Sequence, residues 1–188
     1  CPPTFAMYRQ SAILQSVKSR EAPLNDSFGL DLHAIDKVAD ANTKMIFVCS
    51  PNNPTAKVMA REDILSLCAT YADRALIVLD ETYIQYAEAS SLIPLIEETP
   101  NLVILRTLSK SHAAAGLRCG AVIARGEITQ LLQKVLAPYP LASPVVEAGL
   151  AILTSKNHRL LAKKRDELIE RRDRFMPLLA ALPMVDEI

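Results

Sequence analysis

An α/β fold, with a mainly parallel sheet and helices on both of its faces in three layers, is predicted by three features of the sequence. Short continuous apolar runs recur at Met45–Cys49, Ala75–Leu79 and Leu102–Leu105, as expected of strands covered on both sides. Segments with helical spacing alternate with them, the pattern of parallel strands joined by crossover helices. Each run stops abruptly in polar residues: Ser50 to Thr55 after the first, Asp80 to Tyr83 after the second, and Thr107 to Lys110 after the third. In a parallel sheet those three ends share one edge, where open α/β folds place their ligands.

Taken in order, Phe5-Ala6-Met7-Tyr8 opens a short helix to about Leu14, followed by a strand-like Gln15–Lys18 and a polar loop through Asn25–Ser27. Leu32, Ile35 and Val38 repeat at helical spacing and predict a helix over Asp31–Val38. Beyond the strand Met45–Cys49, Pro51 and Pro54 forbid regular structure. Ile64, Leu65 and Cys68 mark a helix over Glu62–Tyr71, ahead of the second strand, and a short helix over Leu92–Glu97 precedes the third. Cys119–Ala124, bounded by Gly116 and Gly126, reads as a fourth strand. From Glu127 onward the pattern is helical. Ile128, Leu131, Leu132 and Val135 mark one helix, Val145–Leu153 a second, and about Lys156–Leu182 a long amphipathic third. Pro138, Pro140 and Pro144 punctuate the gap between the first two, and strand-like residues return at 184–188.

Of the 188 residues 50% are hydrophobic, enough for a sizeable core, and the formal net charge is zero, which leaves no electrostatic footprint for nucleic acid or an anionic membrane. The basic residues Lys163, Lys164, Arg165, Arg171, Arg172 and Arg174 are interleaved with Asp166, Glu167, Glu170 and Asp173, which describes a solvated helix face. Cys1, Cys49, Cys68 and Cys119 are widely spaced, without a Cys-x-x-Cys pair or a His/Cys cluster. That spacing favours reduced core thiols in a cytoplasmic protein over disulfides or a metal site.

Lys110 is the residue around which the strand ends make chemical sense. It falls in the loop past the third strand, with Thr107 and Ser109 before it and Arg118 eight residues after it. Hydroxyls and a guanidinium can grip a phosphate, and a lysine amine can form a Schiff base with a carbonyl. Taken singly, Lys110 reads equally as a surface lysine, Asn53 as a turn cap, Asp80 as a loop cap and Tyr83 as a core residue. Their convergence on one edge favours pyridoxal-phosphate chemistry, in which a carboxylate pairs with the pyridine nitrogen and the ring acts as an electron sink. Asparagine and tyrosine side chains can hydrogen-bond the phenolic oxygen, and an aromatic ring such as Phe5 can stack on the pyridine face. A dinucleotide-binding domain is disfavoured, since no Gly-x-Gly-x-x-Gly follows a strand.

Ser50-Pro51-Asn52-Asn53-Pro54-Thr55, Asp80-Glu81-Thr82-Tyr83 and Thr107-Leu108-Ser109-Lys110 with Gly116-Leu117-Arg118 resemble the fold-type I aminotransferases of classes I and II. Cys1-Pro2-Pro3-Thr4-Phe5 and Ala137-Pro138-Tyr139-Pro140-Leu141 narrow the resemblance to the histidinol-phosphate aminotransferases, from the first residue to at least the helix after Pro144. The resemblance implies a transamination between L-histidinol phosphate and 2-oxoglutarate, with pyridoxal 5'-phosphate as cofactor. Lys110 would be the Schiff-base lysine and proton carrier, and Asp80 the partner of the pyridine nitrogen. Asn53 and Tyr83 would bind the phenolic oxygen, Ser109 and Arg118 the phosphate with Thr107 a weaker candidate, and Phe5 would stand where the family commonly has a stacking tyrosine.

Three departures accompany the match. Ala56 replaces the glycine that usually follows Asn-Pro-Thr, Thr82 stands where alanine is common, and Ser111-His112-Ala113-Ala114-Ala115 replaces the usual Ala-Phe-Gly-Leu-Ala. His112, two residues past the lysine, reads as filler beside the cofactor. The family also carries a phosphate-binding segment upstream of Cys-Pro-Pro, a substrate-carboxylate arginine in a small C-terminal domain, and a homodimeric assembly. The expectation is therefore a central portion of the enzyme: residues 1–154 as a partial cofactor-binding large domain, and 155–188 as a long helix leading toward a small domain. Such a portion alone would be weak or inactive. The alternatives within the fold are an aromatic aminotransferase or a threonine-phosphate decarboxylase, and outside it a catalytically silent cofactor-domain fragment.

Overall fold

Four strands form one sheet in the order β1 (Met45–Cys49), β2 (Leu76–Asp80), β3 (Leu102–Thr107), β4 (Gly120–Ile123). The computed structural model describes residues 1–185, so part of the strand-like stretch at 184–188 lies outside the described residues. β1, β2 and β3 run parallel, with Cys49 opposite Asp80 and Asp80 opposite Leu105, while β4 returns antiparallel to β3. Six helices accompany them among the described residues: α1 (Met7–Leu14), α2 (Leu32–Val38), α3 (Arg61–Thr70), α4 (Gly126–Val135), α5 (Ser143–Ile152) and α6 (Ser155–Ala180). The chain divides into two units, Cys1–Thr107 with Gly120–Pro138, and Leu108–Cys119 with Tyr139–Ile188.

Residue alternation along the strands sorts the first unit into layers. Ile46, Val48, Ile77, Leu79, Leu102 and Ile104 join one core with Ile35 of α2 and Ile64, Leu67 and Cys68 of α3. Phe47 points to the opposite face, where the ring of Tyr8 from α1 stacks on it with centroids 5.1 Å apart. Helices thus cover both faces of a mostly parallel sheet, as predicted. Asn101 closes the end of the core, its Nδ2 donating to the carbonyls of Cys68 and Ala75 at 3.0 Å each. Beside it the wholly buried Tyr71 donates to Asp36 at 2.5 Å, and burial foremost pushes its phenol up to about 12.

Two of the predicted elements differ from the structure. Gln15–Lys18 is not a strand, because its backbone completes the end of α1. Ser16 turns left-handed (φ 55°), and the N–H groups of Ser16 and Val17 donate back to the carbonyls of Ile13 and Ala12 at 2.9 and 2.8 Å. Those paired bonds form a Schellman ending, which takes up the donors that a strand would need. The predicted helix at Leu92–Glu97 contracts to a 3₁₀ turn over Ile93–Leu95. Glu81 and Ser91 take the N–H groups of Leu92 and Ile93, so local side chains satisfy donors at the start of the turn. The fourth strand begins at Gly120, one residue later than expected. A Cβ there would lie 2.7 Å from the carbonyl oxygen of Arg106, so only glycine lets β4 approach β3 this closely.

Alanine occupies the left-handed region at both places where it replaces the family's glycine, Ala56 (φ 56°) and Ala113 (φ 52°). An L-residue there costs about 1–2 kcal/mol relative to glycine. Ala56→Gly is therefore expected to raise the unfolding free energy by about 1 kcal/mol, read as a higher urea midpoint at unchanged slope. A midpoint at or below that of the parent would show that the turn carries no such strain.

In the second unit, the loop Leu108–Cys119 is closed by bonds from Leu108 N–H to Cys119 and from Ala114 N–H to Leu108. α5 approaches this loop through Gly149, whose absent Cβ would meet Leu108 at 3.8 Å. Only Leu153 and Thr154 separate α5 from α6, and Thr154 and Asn157 side chains both donate to the Ala151 carbonyl, at 2.9 and 2.7 Å. Among the described residues no helix is long and apolar enough to cross a membrane.

Candidate active site

Because β1, β2 and β3 are parallel and adjacent, the residues that follow them gather on one sheet edge. Asp80 is the last residue of β2 and is buried. Both of its oxygens are engaged: Tyr8 Oη donates to Oδ2 at 2.6 Å, and the Thr82 N–H donates to Oδ1 at 2.9 Å. The second bond shows that Asp80 does cap its own turn, as one reading of the sequence allowed. The first ties the strand end to α1. Tyr8 is held in turn by its stack on Phe47 and by an edge-on contact with Phe5, 5.7 Å between centroids at 83°. Phe5 itself is 44% exposed.

Asn53 lies half-buried in the loop after β1, and Tyr83 half-buried in the turn after β2 that leads into the 3₁₀ segment Ile84–Tyr86. Thr107 ends β3, opposite Gly120. These residues and the Phe5–Tyr8–Asp80 cluster belong to the first unit, and the three strand ends place Asn53, Asp80 and Thr107 along one edge. Ser109, Lys110 and Arg118 belong to the loop of the second unit. There Ser109 is half-buried, Lys110 and Arg118 are exposed, and the Ala113 N–H donates to the Lys110 carbonyl at 2.9 Å. Arg118 is left-handed (φ 50°), and its Nη1 donates to the Ala115 carbonyl at 3.0 Å. His112 lies half-buried, its Nδ1 3.1 Å from the hydroxyl of Ser111.

Three residues that sequence reasoning gave no role organise this edge. Tyr8 was legible only as an aromatic three residues after Phe5. Asn52, not its neighbour Asn53, is the buried member of the pair: Nδ2 donates to the Pro3 carbonyl and to Thr55, each at 2.8 Å, and Oδ1 accepts from Thr4. It knits the segment before α1 to the loop after β1. Glu81 is almost wholly buried beside Asp80 and accepts from Ser91 (2.6 Å), the Leu92 N–H (2.8 Å) and Arg106 (3.0 Å). A carboxylate buried with three donors is compensated, and this one pins the exit of β2 to β3.

This edge has the donor chemistry that a pyridine cofactor requires: a buried carboxylate with both oxygens oriented at the end of a central strand, flanked by amide, phenol and hydroxyl groups. The chain belongs to the aminotransferase class I and II family, which it matches over residues 1–187. It is 47% identical to the histidinol-phosphate aminotransferase of Vibrio parahaemolyticus over 154 residues, 82% of this chain and 44% of that one. With the histidinol-phosphate aminotransferase of Pectobacterium atrosepticum it shares 40% identity over 188 residues, the whole of this chain and 52% of the relative. The chain thus spans about half the length of the curated relatives it matches. Its fold is similar to the solved histidinol-phosphate aminotransferase of Clostridium acetobutylicum (TM-score 0.85, 21% identity), with 98% of this chain and 56% of that one covered.

Proposed function

We propose that the chain is the cofactor-binding portion of a pyridoxal-phosphate-dependent aminotransferase that moves an amino group between L-histidinol phosphate and 2-oxoglutarate in histidine biosynthesis. The observation that carries the cofactor is the oriented, buried carboxylate of Asp80 at the carboxyl end of β2. The choice of amino donor rests on the relatives bearing that name at 40–47% identity.

Bound pyridoxal phosphate supplies an electron sink for carbanion chemistry at the substrate's α-carbon. In this reading Asp80 accepts the pyridine N–H and holds the ring nitrogen protonated. Asn53 and Tyr83 would donate to the phenolic oxygen, and the Phe5 ring would stack on the pyridine. Ser109 and Arg118, with Thr107, hold the phosphate through a hydroxyl and guanidinium set suited to a dianion. Lys110 would hold the cofactor through its amine, and its Nζ would carry the proton at the substrate's α-carbon. In the same reading residues 1–154 are the cofactor-binding part, the long helix α6 leads from it toward a small domain, and the whole enzyme works as a cytoplasmic homodimer.

The test is a donor panel on the full-length protein with 2-oxoglutarate as acceptor. L-Histidinol phosphate is expected to exceed aromatic amino acids in kcat/KM by at least tenfold, about 1.4 kcal/mol of discrimination. A preference for an aromatic amino acid, or decarboxylation of threonine phosphate, would replace this substrate assignment while leaving the cofactor chemistry intact.

A further inference from the structure

We propose that Tyr8 is a positioning residue for the Asp80 carboxylate, setting the orientation and charge with which that carboxylate meets a heteroaromatic N–H. The proposal rests on the reading of Asp80 as the partner of the pyridine nitrogen, and it adds a residue outside the expected site. The contact spans 72 positions of sequence and joins α1 to the end of β2 at 2.6 Å. Tyr8 is braced on two sides, stacked on Phe47 at 24° and met edge-on by Phe5, so its hydroxyl cannot swing away without giving up both rings. Phe47 and Val78 face each other in the register two residues before Cys49 and Asp80, which puts the phenol's support and its acceptor on the same side of the sheet.

The division of labour on the carboxylate follows from hydrogen-bond capacity. With Tyr8 on Oδ2 and the Thr82 N–H on Oδ1, each oxygen keeps a further acceptor position, and the plane of the group is fixed by two donors from different elements. A phenol bonded to Oδ2 also draws charge from the carboxylate, which tempers the proton affinity it confers on a ring nitrogen. Cys49, opposite Asp80 on β1, is the other titratable side chain interacting with Tyr8. Burial first, and the bond to Asp80 second, push the phenol far above its ordinary value, and burial also raises the Cys49 thiol. Tyr8 therefore remains a donor across the pH range of any assay.

Tyr8→Phe in the full-length holoenzyme removes this hydroxyl and keeps the ring stack. The expected result is a pyridoxal-phosphate affinity about threefold to tenfold weaker, the range of a typical net hydrogen-bond contribution, since the phenol acts on the cofactor only through Asp80. With it should come a displaced pH midpoint of the cofactor's visible band and a displaced ¹⁵N resonance of a ring-labelled cofactor. A packing residue would move neither the midpoint nor the resonance. Unchanged affinity, midpoint and resonance overturn the proposal, as does a variant in which only the thermal midpoint falls. If the parent enzyme itself shows no cofactor band, the reading of Asp80 has failed and the proposal falls with it. If the parent binds normally and Tyr8→Phe matches it, only the inference about Tyr8 is lost.

Discussion

Lys110→Ala in the full-length protein is expected to leave the fold intact and to lower transamination by at least about 10⁴-fold, some 5.5 kcal/mol of barrier. The fold should hold because Lys110 is exposed and the loop is closed by backbone bonds that alanine retains: Leu108 to Cys119, Ala113 to Lys110, and Ala114 to Leu108. In the proposed function Lys110 would have two roles that are lost together, the covalent attachment of the cofactor and the transfer of a proton by Nζ, and no other lysine lies in Leu108–Cys119 to replace it. Borohydride reduction followed by peptide mapping reads the first role directly, and single-turnover kinetics reads the second. The label should fall on Lys110 in the parent and vanish in the variant. Activity within tenfold of the parent, or label spread over surface lysines, would remove Lys110 from the chemistry and leave the loop as scaffold.

The fold was legible where burial is two-sided. Met45–Cys49 and the runs ending at Leu79 and Leu105 are apolar at nearly every position because α2 and α3 cover one face and α1 meets the other. Such runs announce themselves without knowledge of their partners. Gln15–Lys18 misled because strand propensity is a statement about neighbours, and here the backbone donors were already spent on closing α1 through a serine in the left-handed region. β4 was seen, but its direction was not. A strand with three exposed residues carries no sign of orientation, which is set by the short loop 108–119 that doubles back from β3.

The site was legible to the extent that chemistry confines residue choice. Asp80, Asn53 and Thr107 could be placed on one edge from the strand ends alone, since parallel strands bring their carboxyl ends together. The supporting residues were not legible because any of several side chains could have done their work. Nothing in Asn52-Asn53 says which amide is buried against Pro3 and Thr4, and nothing in Asp80-Glu81 says that the glutamate turns inward to Ser91, Leu92 and Arg106. Tyr8 illustrates the same limit, as its contact with Asp80 depends on the packing of α1 against Phe47. Long-range contacts of this kind are fixed by tertiary packing and leave no local periodicity to read.

Asp80→Asn is expected to cost about 2–5 kcal/mol in kcat/KM, roughly thirtyfold to several thousandfold, the range for removing one partner of a buried hydrogen-bonded charge pair. The substitution is nearly isosteric, and an amide oxygen at the Oδ1 or Oδ2 position can still accept from Thr82 or from Tyr8, so the turn after β2 and the tie to α1 are retained in part. What asparagine lacks is the charge that, in the proposed function, would keep a pyridine nitrogen protonated and with it the ring's capacity to take up electrons from the α-carbon. The loss should therefore lie mainly in kcat, with a smaller fall in cofactor affinity, and the ring-¹⁵N resonance of labelled cofactor should move toward the unprotonated position. Asp80→Ala would confound this with the loss of both hydrogen bonds at a buried strand end, which makes asparagine the informative change. A variant that keeps kcat within threefold and an unshifted resonance would mean that the carboxylate serves only to cap Thr82 and hold Tyr8, and the pyridine nitrogen would need another partner on this edge.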